Sequence, residues 1–225
     1  MKIDHIYCLN LERSAERREK IGKEFEQESL DVEFFKGCDG KAIGKSGVFG
    51  CAQSHINIWK DVIEKGYENV LIFEDDVWLE KDFKRYLEIL EAPEKWDVLY
   101  LGSSLPILEQ KTEGHFTKCK AVGLFGYIIN NNTALKLAYI DPSDLQYDID
   151  VHMLDYPLKT WMCNKNLVST LLPTPSTSEI GMRLMTTTHF YIHILKYFDG
   201  LEILFLILVL MYFIRRLFCG PERGR

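Results

Sequence analysis

The sequence lacks the marks of several common protein classes. Its six cysteines, Cys8, Cys38, Cys51, Cys119, Cys163 and Cys219, are scattered, with no Cys-x-x-Cys pair. That spacing argues against a dense disulfide framework and favours a reducing compartment. There is no excess of basic charge: 27 Lys and Arg stand against 33 Asp and Glu, a formal net charge of -6. Nucleic-acid binders normally present a basic face, so nucleic acid is not an expected partner. The stretch from Gly37 to Gly47 is rich in glycine yet lacks the Gly-Lys-Ser/Thr spacing of a P-loop. Those glycines fit a mobile or tightly turning loop. No signal-peptide pattern opens the chain, because Met1-Lys2-Ile3-Asp4-His5 leads straight into an expected strand.

What is present describes an ordinary folded chain. Its 225 residues are 47% hydrophobic and 27% charged, enough for one substantial domain. The centre of interest is Asn69-Val70-Leu71-Ile72-Phe73-Glu74-Asp75-Asp76-Val77. Four apolar residues after Gly66 read as a strand buried on both faces. Three carboxylates then arrive at its C-terminal end, the edge of an open α/β sheet where ligands bind. Adjacent carboxylates repel and are costly to bury alone. Such a triplet is tolerated as a solvated turn, or where Mg²⁺ or Mn²⁺ neutralises it beside substrate phosphates.

Taken in order, the chain alternates strands and helices. Residues 3–11 read as a first strand, and Ser14 introduces a helix over 15–27 with Ile21 and Phe25 on one face. Arg13, Arg17 and Arg18 at that junction suit either a solvated ionic face or a phosphate-binding edge. Val32 to Phe35 forms a short strand. Gly50 to Lys65 is a helix, with Ala52, Ile56, Trp59 and Ile63 on one stripe and Gly66 as its cap. Ser54 and His55 lie near its start. Cys51 and His55 have i,i+4 spacing, which alone is weak support for zinc.

Further helices are expected over 81–90 and 134–139, the latter introduced by Asn132 and Thr133, and strands over 96–102 and 123–129. Residues 103–118 read as polar and irregular. Asn131-Asn132-Thr133 matches the glycosylation sequon, but its place suggests helix capping. Asp148-Ile149-Asp150-Val151-His152 is a second cluster of candidate bases or metal ligands, or else an exposed acidic loop. Residues 167–169 form a late strand, and residues 173–179 have the composition of a surface loop. The alternation predicts a parallel or mixed sheet flanked by helices.

The tail differs. Ile203 to Phe213 is apolar apart from Tyr212, and Arg215-Arg216 follows. At ~1.5 Å per residue the run is shorter than the ~20 residues of a membrane span. Membrane attachment, by a C-terminal span or an interfacial helix, is the favoured reading, against a buried packing helix. The expected division is a domain over 1–188 and an apolar helix with basic tail over 189–225.

Several of these pieces together resemble glycosyltransferase family 25. The residues that carry the likeness are Ile6-Tyr7-Cys8-Leu9-Asn10-Leu11 with Arg13 and Arg17, and Gly50-Cys51-Ala52-Gln53-Ser54-His55 with Trp59. Leu71 to Val77, Asp97 to Gly102, and Gly126-Tyr127-Ile128-Ile129 with Ala134 complete the set. The resemblance runs from about residue 3 to about residue 180. It implies a GT-A-type, nucleotide-sugar-binding α/β fold with a mixed, mainly parallel sheet, to which the C-terminal apolar helix would be added. It also implies a UDP-sugar donor, most often UDP-galactose, an acidic motif at Glu74, Asp75 and Asp76, and transfer with inversion to a glycan or protein hydroxyl.

In that scheme Asp76, with Asp75, holds Mn²⁺ or Mg²⁺ against the departing diphosphate. Asn10, Arg13, Arg17, Ser54, His55, Glu74 and Asp75 line the donor. Asp150 is the first candidate base, with Asp148 and Glu179 behind it. A silent sugar-nucleotide or glycan-binding module is the alternative function, and a metal-dependent phosphoryl or nucleotidyl transferase a third.

Overall fold

The computed structural model describes residues 1–170, the side chain of Leu105 excepted. These residues fall within the first of two units, residues 1–183; the second, 184–225, lies outside the described residues. The expected apolar helix and membrane attachment at 189–225, and the candidate base Glu179, therefore lie outside them too. Among the described residues no helix is long and apolar enough to cross a membrane.

Among the described residues ten strands and five α-helices follow one another: β1 His5–Asn10, α1 Ala15–Gln27, β2 Glu33–Lys36, α2 Gly47–Lys65, β3 Asn69–Glu74, β4 Val77–Leu79, α3 Phe83–Ile89, β5 Val98–Tyr100, β6 Leu105–Glu113, β7 Phe116–Val122, β8 Gly126–Asn130, α4 Asn131–Leu137, α5 Ile149–Met153, β9 Thr160–Cys163 and β10 Val168–Thr170. Eight strands form one sheet in the order β2-β1-β3-β8-β5-β9-β7-β6, and β10 pairs with β4 in a separate ribbon. Within the large sheet β8 and β7 run against the other six strands. The sheet is thus mixed and mainly parallel, as expected.

The central strands are buried on both faces. In β3, Val70, Leu71, Ile72 and Phe73 are all inaccessible to solvent. Alternate residues feed two apolar layers, one beneath α2, the other beneath α1 and α3. Val70 and Ile72 pack with Ala52, Ile56, Trp59 and Val62. Leu71 and Phe73 pack with Ile21, Phe25 and Phe83. Each such large side chain contributes about 1.5–3 kcal/mol when removed from water, which is why a continuous apolar run holds the middle of the sheet.

Local chemistry sets the ends of α2. Ser46 accepts a hydrogen bond from the Phe49 N–H at 3.0 Å, so the helix starts at Gly47, three residues before the expected Gly50. Gly66 ends it in the left-handed region at φ 69°. A Cβ on Gly50 would sit 2.6 Å from the Cys38 carbonyl oxygen, and one on Gly40 would sit 2.1 Å from that of Ser46. The two glycines let the 37–46 loop close onto the helix, so this loop turns tightly.

Three expectations need correction. Residues 105–122, expected to be irregular for most of their length, form the β6–β7 hairpin, turning at Gly114 with φ 55°. The polar edge strand β6 carries no apolar alternation to betray it. Helix α4 starts at Asn131, because Asn130 caps it by accepting from the Thr133 N–H at 2.9 Å. Asp148 to His152, for which an exposed acidic loop was the alternative reading, forms the cap and first four residues of the short helix α5.

Candidate functional site

The parallel pairing of β1 with β3 brings two distant segments to one edge. Leu9 lies opposite Glu74 in the register, so Asn10 arrives beside Asp75 although 65 residues separate them. A cleft opens here, with an empty volume of about 730 Å³ that includes open solvent. Asn10, Arg13, Arg17, Cys51, Ser54, Glu74, Asp75 and Asp76 all line it. It sits at the C-terminal ends of parallel strands, where open α/β sheets bind ligands.

The three acids are not equivalent. Asp75 is only 9% exposed. Its Oδ2 accepts from Asn10 Nδ2 at 2.7 Å and its Oδ1 from Arg17 Nη1 at 3.0 Å. Burial pushes its carboxyl above the ordinary range, against the pull of Asn10 and Arg17. With both oxygens engaged by the protein, Asp75 ties β1, α1 and β3 together. Asp76 is 32% exposed, and Arg17 approaches it at 3.5 Å. Burial, and then the neighbouring Glu74 carboxylate, push its carboxyl up to about 7. A carboxylate so raised gains from a nearby cation, and Glu74 and Asp76 together offer hard oxygen ligands to the cleft. The donor set fits Mn²⁺ or Mg²⁺, with Asp76 and Glu74, more than Asp75, able to hold it.

Asp148 and Asp150 are not among the residues lining the cleft, but they extend its acidic field, Glu74 acting on both. Asp150 is held by two backbone donors, the Gly123 N–H at 2.7 Å and the Val151 N–H at 2.8 Å. Burial raises its carboxyl despite both bonds. Gly123 can present its N–H there because it adopts φ 103°, which side-chain-bearing residues rarely reach. Asp148 differs: its Oδ1 is buried and has no hydrogen-bond partner. Burial first, then Asp150 and Glu74, push the Asp148 carboxyl up to about 6. Buried polar atoms are rarely left unpaired, and those that are mark functional sites more often than chance.

Other expected site residues take supporting places. Arg13 pairs with Asp39 of the glycine-rich loop, Nε to Oδ2, at 2.5 Å. The Ser54 hydroxyl donates to the Gly50 carbonyl at 2.7 Å and accepts from the Cys38 N–H at 2.8 Å, pinning that loop to α2. His55 is fully buried and is not among the residues lining the cleft; it sits behind Glu74, with Nε2 3.3 Å from Oε1. Cys51, passed over as a lone i,i+4 partner of His55, lines the cleft, and Glu74, Asp150, Asp148 and Asp76 all raise its thiol beyond the effect of burial.

The model of glycosyltransferase family 25 (LPS biosynthesis protein) matches residues 3–48 and 45–108, which include both strands of this edge and the whole acidic triplet. By that match, just under half of the chain is similar to glycosyltransferase family 25. It is 28% identical over 229 residues to a glycosyltransferase 25 family member of Aedes aegypti, covering 80% of this chain and 37% of that protein. It is 26% identical to procollagen galactosyltransferase 2 of Mus musculus, covering 67% of this chain and 30% of the other. A family 25 relative in Rattus norvegicus, 27% identical over 45% of this chain and 23% of its own length, bears the name probable inactive glycosyltransferase 25 family member 3. The chain thus spans about a third of the length of the first two relatives. Among solved structures, a glycosyltransferase involved in the glycosylation of the major capsid of PBCV-1 superposes with a TM-score of 0.50 at 8% identity. That superposition covers 78% of this chain and 94% of the other, a likeness of fold alone.

Proposed function

We propose that this chain is a metal-dependent glycosyltransferase of family 25 that moves a hexose, galactose or glucose, from a UDP-sugar to a hydroxyl of a glycan or protein. One observation carries the reading. Glu74 and Asp76 face the cleft at the end of β3, Arg17 bridges Asp75 and Asp76, and the unpartnered Asp148 oxygen lies in the field of Glu74. A solvated turn, the simpler view of three adjacent acids, does not lock its middle carboxylate between Asn10 and Arg17.

The chemistry asks three things of these residues. Arg17, next to Asp75 and Asp76, and Asn10 form the wall against which the nucleotide rests. A divalent cation on Asp76 and Glu74 would supply charge stabilisation for the diphosphate as it departs. Asp148 takes the proton of the acceptor hydroxyl, because its Oδ1 is uncommitted whereas both oxygens of Asp150 already accept backbone N–H bonds. The acceptor oxygen then bonds to the anomeric carbon as the bond to the β-phosphate oxygen breaks, and the electron pair leaves with UDP. Attack opposite the leaving group inverts that carbon. Asp148 therefore takes precedence over Asp150 as the base.

A catalytically silent module is the second reading, favoured by the relative named probable inactive and by the partial span of the longer family members. A donor screen separates the two. Purified chain is offered UDP-, GDP- and CMP-sugars with and without Mn²⁺, beside Asp76→Ala, with donor binding measured in parallel. Mn²⁺-dependent UDP release that Asp76→Ala abolishes supports the transferase. Tight binding with no turnover on any acceptor supports the silent module.

A further inference from the structure

Behind Glu74 runs a line of three buried side chains that the chemistry above does not use. Trp59 and His55 of α2 and Tyr127 of β8 are each inaccessible to solvent. The Trp59 Nε1–H donates to the Tyr127 hydroxyl at 3.0 Å. That hydroxyl lies 2.9 Å from His55 Nδ1, and His55 Nε2 lies 3.3 Å from Glu74 Oε1. The placement follows from the fold. His55 and Trp59 are four residues apart on one face of α2. Tyr127 pairs with Ile72 in the β3–β8 register, two residues before Glu74.

Counting protons fixes the direction of the line. An indole N–H can only donate, so the Tyr127 oxygen accepts from it. Burial keeps the phenol protonated, leaving one O–H to place. His55 Nδ1 is the acceptor in reach, which puts the imidazole proton on Nε2, facing a carboxylate that accepts. Reversing the histidine would strand the phenol proton in the core and set a nitrogen lone pair against a Glu74 oxygen.

We infer that Tyr127 and His55, oriented by Trp59, are positioning residues that hold Glu74 from behind so that its carboxylate stays aimed at the cleft. What Glu74 then does rests on the transferase reading; the direction of the line does not. The same count speaks against a soft-metal site in this corner. Ligand atoms of Cys51, His55 and Glu74 do lie within 4.8 Å of one another. A cation on Nε2 would displace the proton that Glu74 accepts. It would also turn Nδ1 into a donor toward a hydroxyl that already accepts from Trp59. The corner acts as a hydrogen-bonded brace.

The test combines spectroscopy and kinetics on the full chain. Nitrogen NMR of the histidine ring reports which nitrogen bears the proton, whatever the activity. The wild type is expected to show Nε2–H, and Tyr127→Phe a loss of that single tautomer. In turnover, Tyr127→Phe is expected to lower kcat about 10–100-fold with donor KM unchanged, the usual cost of removing an outer partner of a site residue. In a Glu74→Gln background the same substitution should cost nothing further. Ile129→Val, a conservative change in the same apolar layer, should keep wild-type kcat and separates a general loosening of the core from loss of the brace. A wild-type His55 protonated on Nδ1 overturns the inference. So does a Tyr127→Phe enzyme with full kcat, or a loss that adds in full to that of Glu74→Gln. A wild type without turnover refutes the transferase reading, while the tautomer still decides the line.

Discussion

Replacing Asp76 by Asn should make the metal-free protein more stable at pH 8, and by only about a third as much at pH 5. The Asp76 carboxyl is pushed up to about 7 by burial and by Glu74. A carboxyl raised on folding binds its proton more tightly in the folded state. Its destabilisation is therefore absent below the ordinary carboxylate range, grows as pH rises from it, and is complete above the folded pKa. Each pH unit across that window is worth about 1.4 kcal/mol. Because the side chain is 32% exposed, solvent screening discounts the sum to about 1–2 kcal/mol. For a domain of this size that corresponds to a Tm about 2–8 °C higher in Asp76→Asn at pH 8. Thermal melts of both proteins in chelator, at pH 5 and pH 8, measure it. Adding Mn²⁺ at pH 8 should reverse the order, since ligation stabilises the wild type alone. An equal Tm difference at both pH values, or an Asn variant less stable at pH 8, would refute the electrostatic reasoning.

Other expectations follow from the same geometry. Asp75→Ala removes the carboxylate that accepts from both Asn10 and Arg17 at the cleft wall and should cost about 1–3 kcal/mol by denaturant melt, together with loss of UDP binding. Gly50→Ala drives a Cβ to 2.6 Å from the Cys38 carbonyl, so the loop must move. Its expected cost is about 1–3 kcal/mol, read from the same melts. Turnover should rise with pH through about 6 as the Asp148 carboxyl ionises and becomes able to accept a proton. Asp148→Asn should remove that limb and most activity while Asp150→Asn keeps the limb, and a pH–rate profile of the three proteins decides.

The parts of this fold legible in the sequence were those with strong local signals. The apolar run Val70 to Phe73 announced a doubly buried strand, and the acids after it marked the edge where the cleft opens. The stripe Ala52, Ile56, Trp59 and the terminal Gly66 announced α2. Edge strand β6 stayed hidden because a polar strand facing solvent has no apolar period. β9, residues Thr160–Cys163, is too short to stand out from its surroundings. The division of labour among the acids was illegible for a different reason. That Asp75 is locked by Asn10 and Arg17 depends on strand pairing across 65 and 58 residues. That Asp148 keeps a free oxygen while Asp150 does not depends on Gly123, brought over from the β7–β8 connection. His55, grouped in the sequence with donor-facing residues, lies behind Glu74 through Tyr127, 72 positions further along.

The central claim is that nucleotide and metal meet on the Glu74–Asp76 edge. The most direct test is the affinity of the chain for UDP, measured by calorimetry with and without Mn²⁺, in the wild type and in Asp76→Ala. The account predicts UDP binding that is at least about tenfold tighter with Mn²⁺, a difference of about 1.4 kcal/mol, and a Mn²⁺ effect that vanishes in Asp76→Ala. No binding of UDP, or an affinity indifferent to both Mn²⁺ and the substitution, would contradict it and return the three carboxylates to a solvated turn.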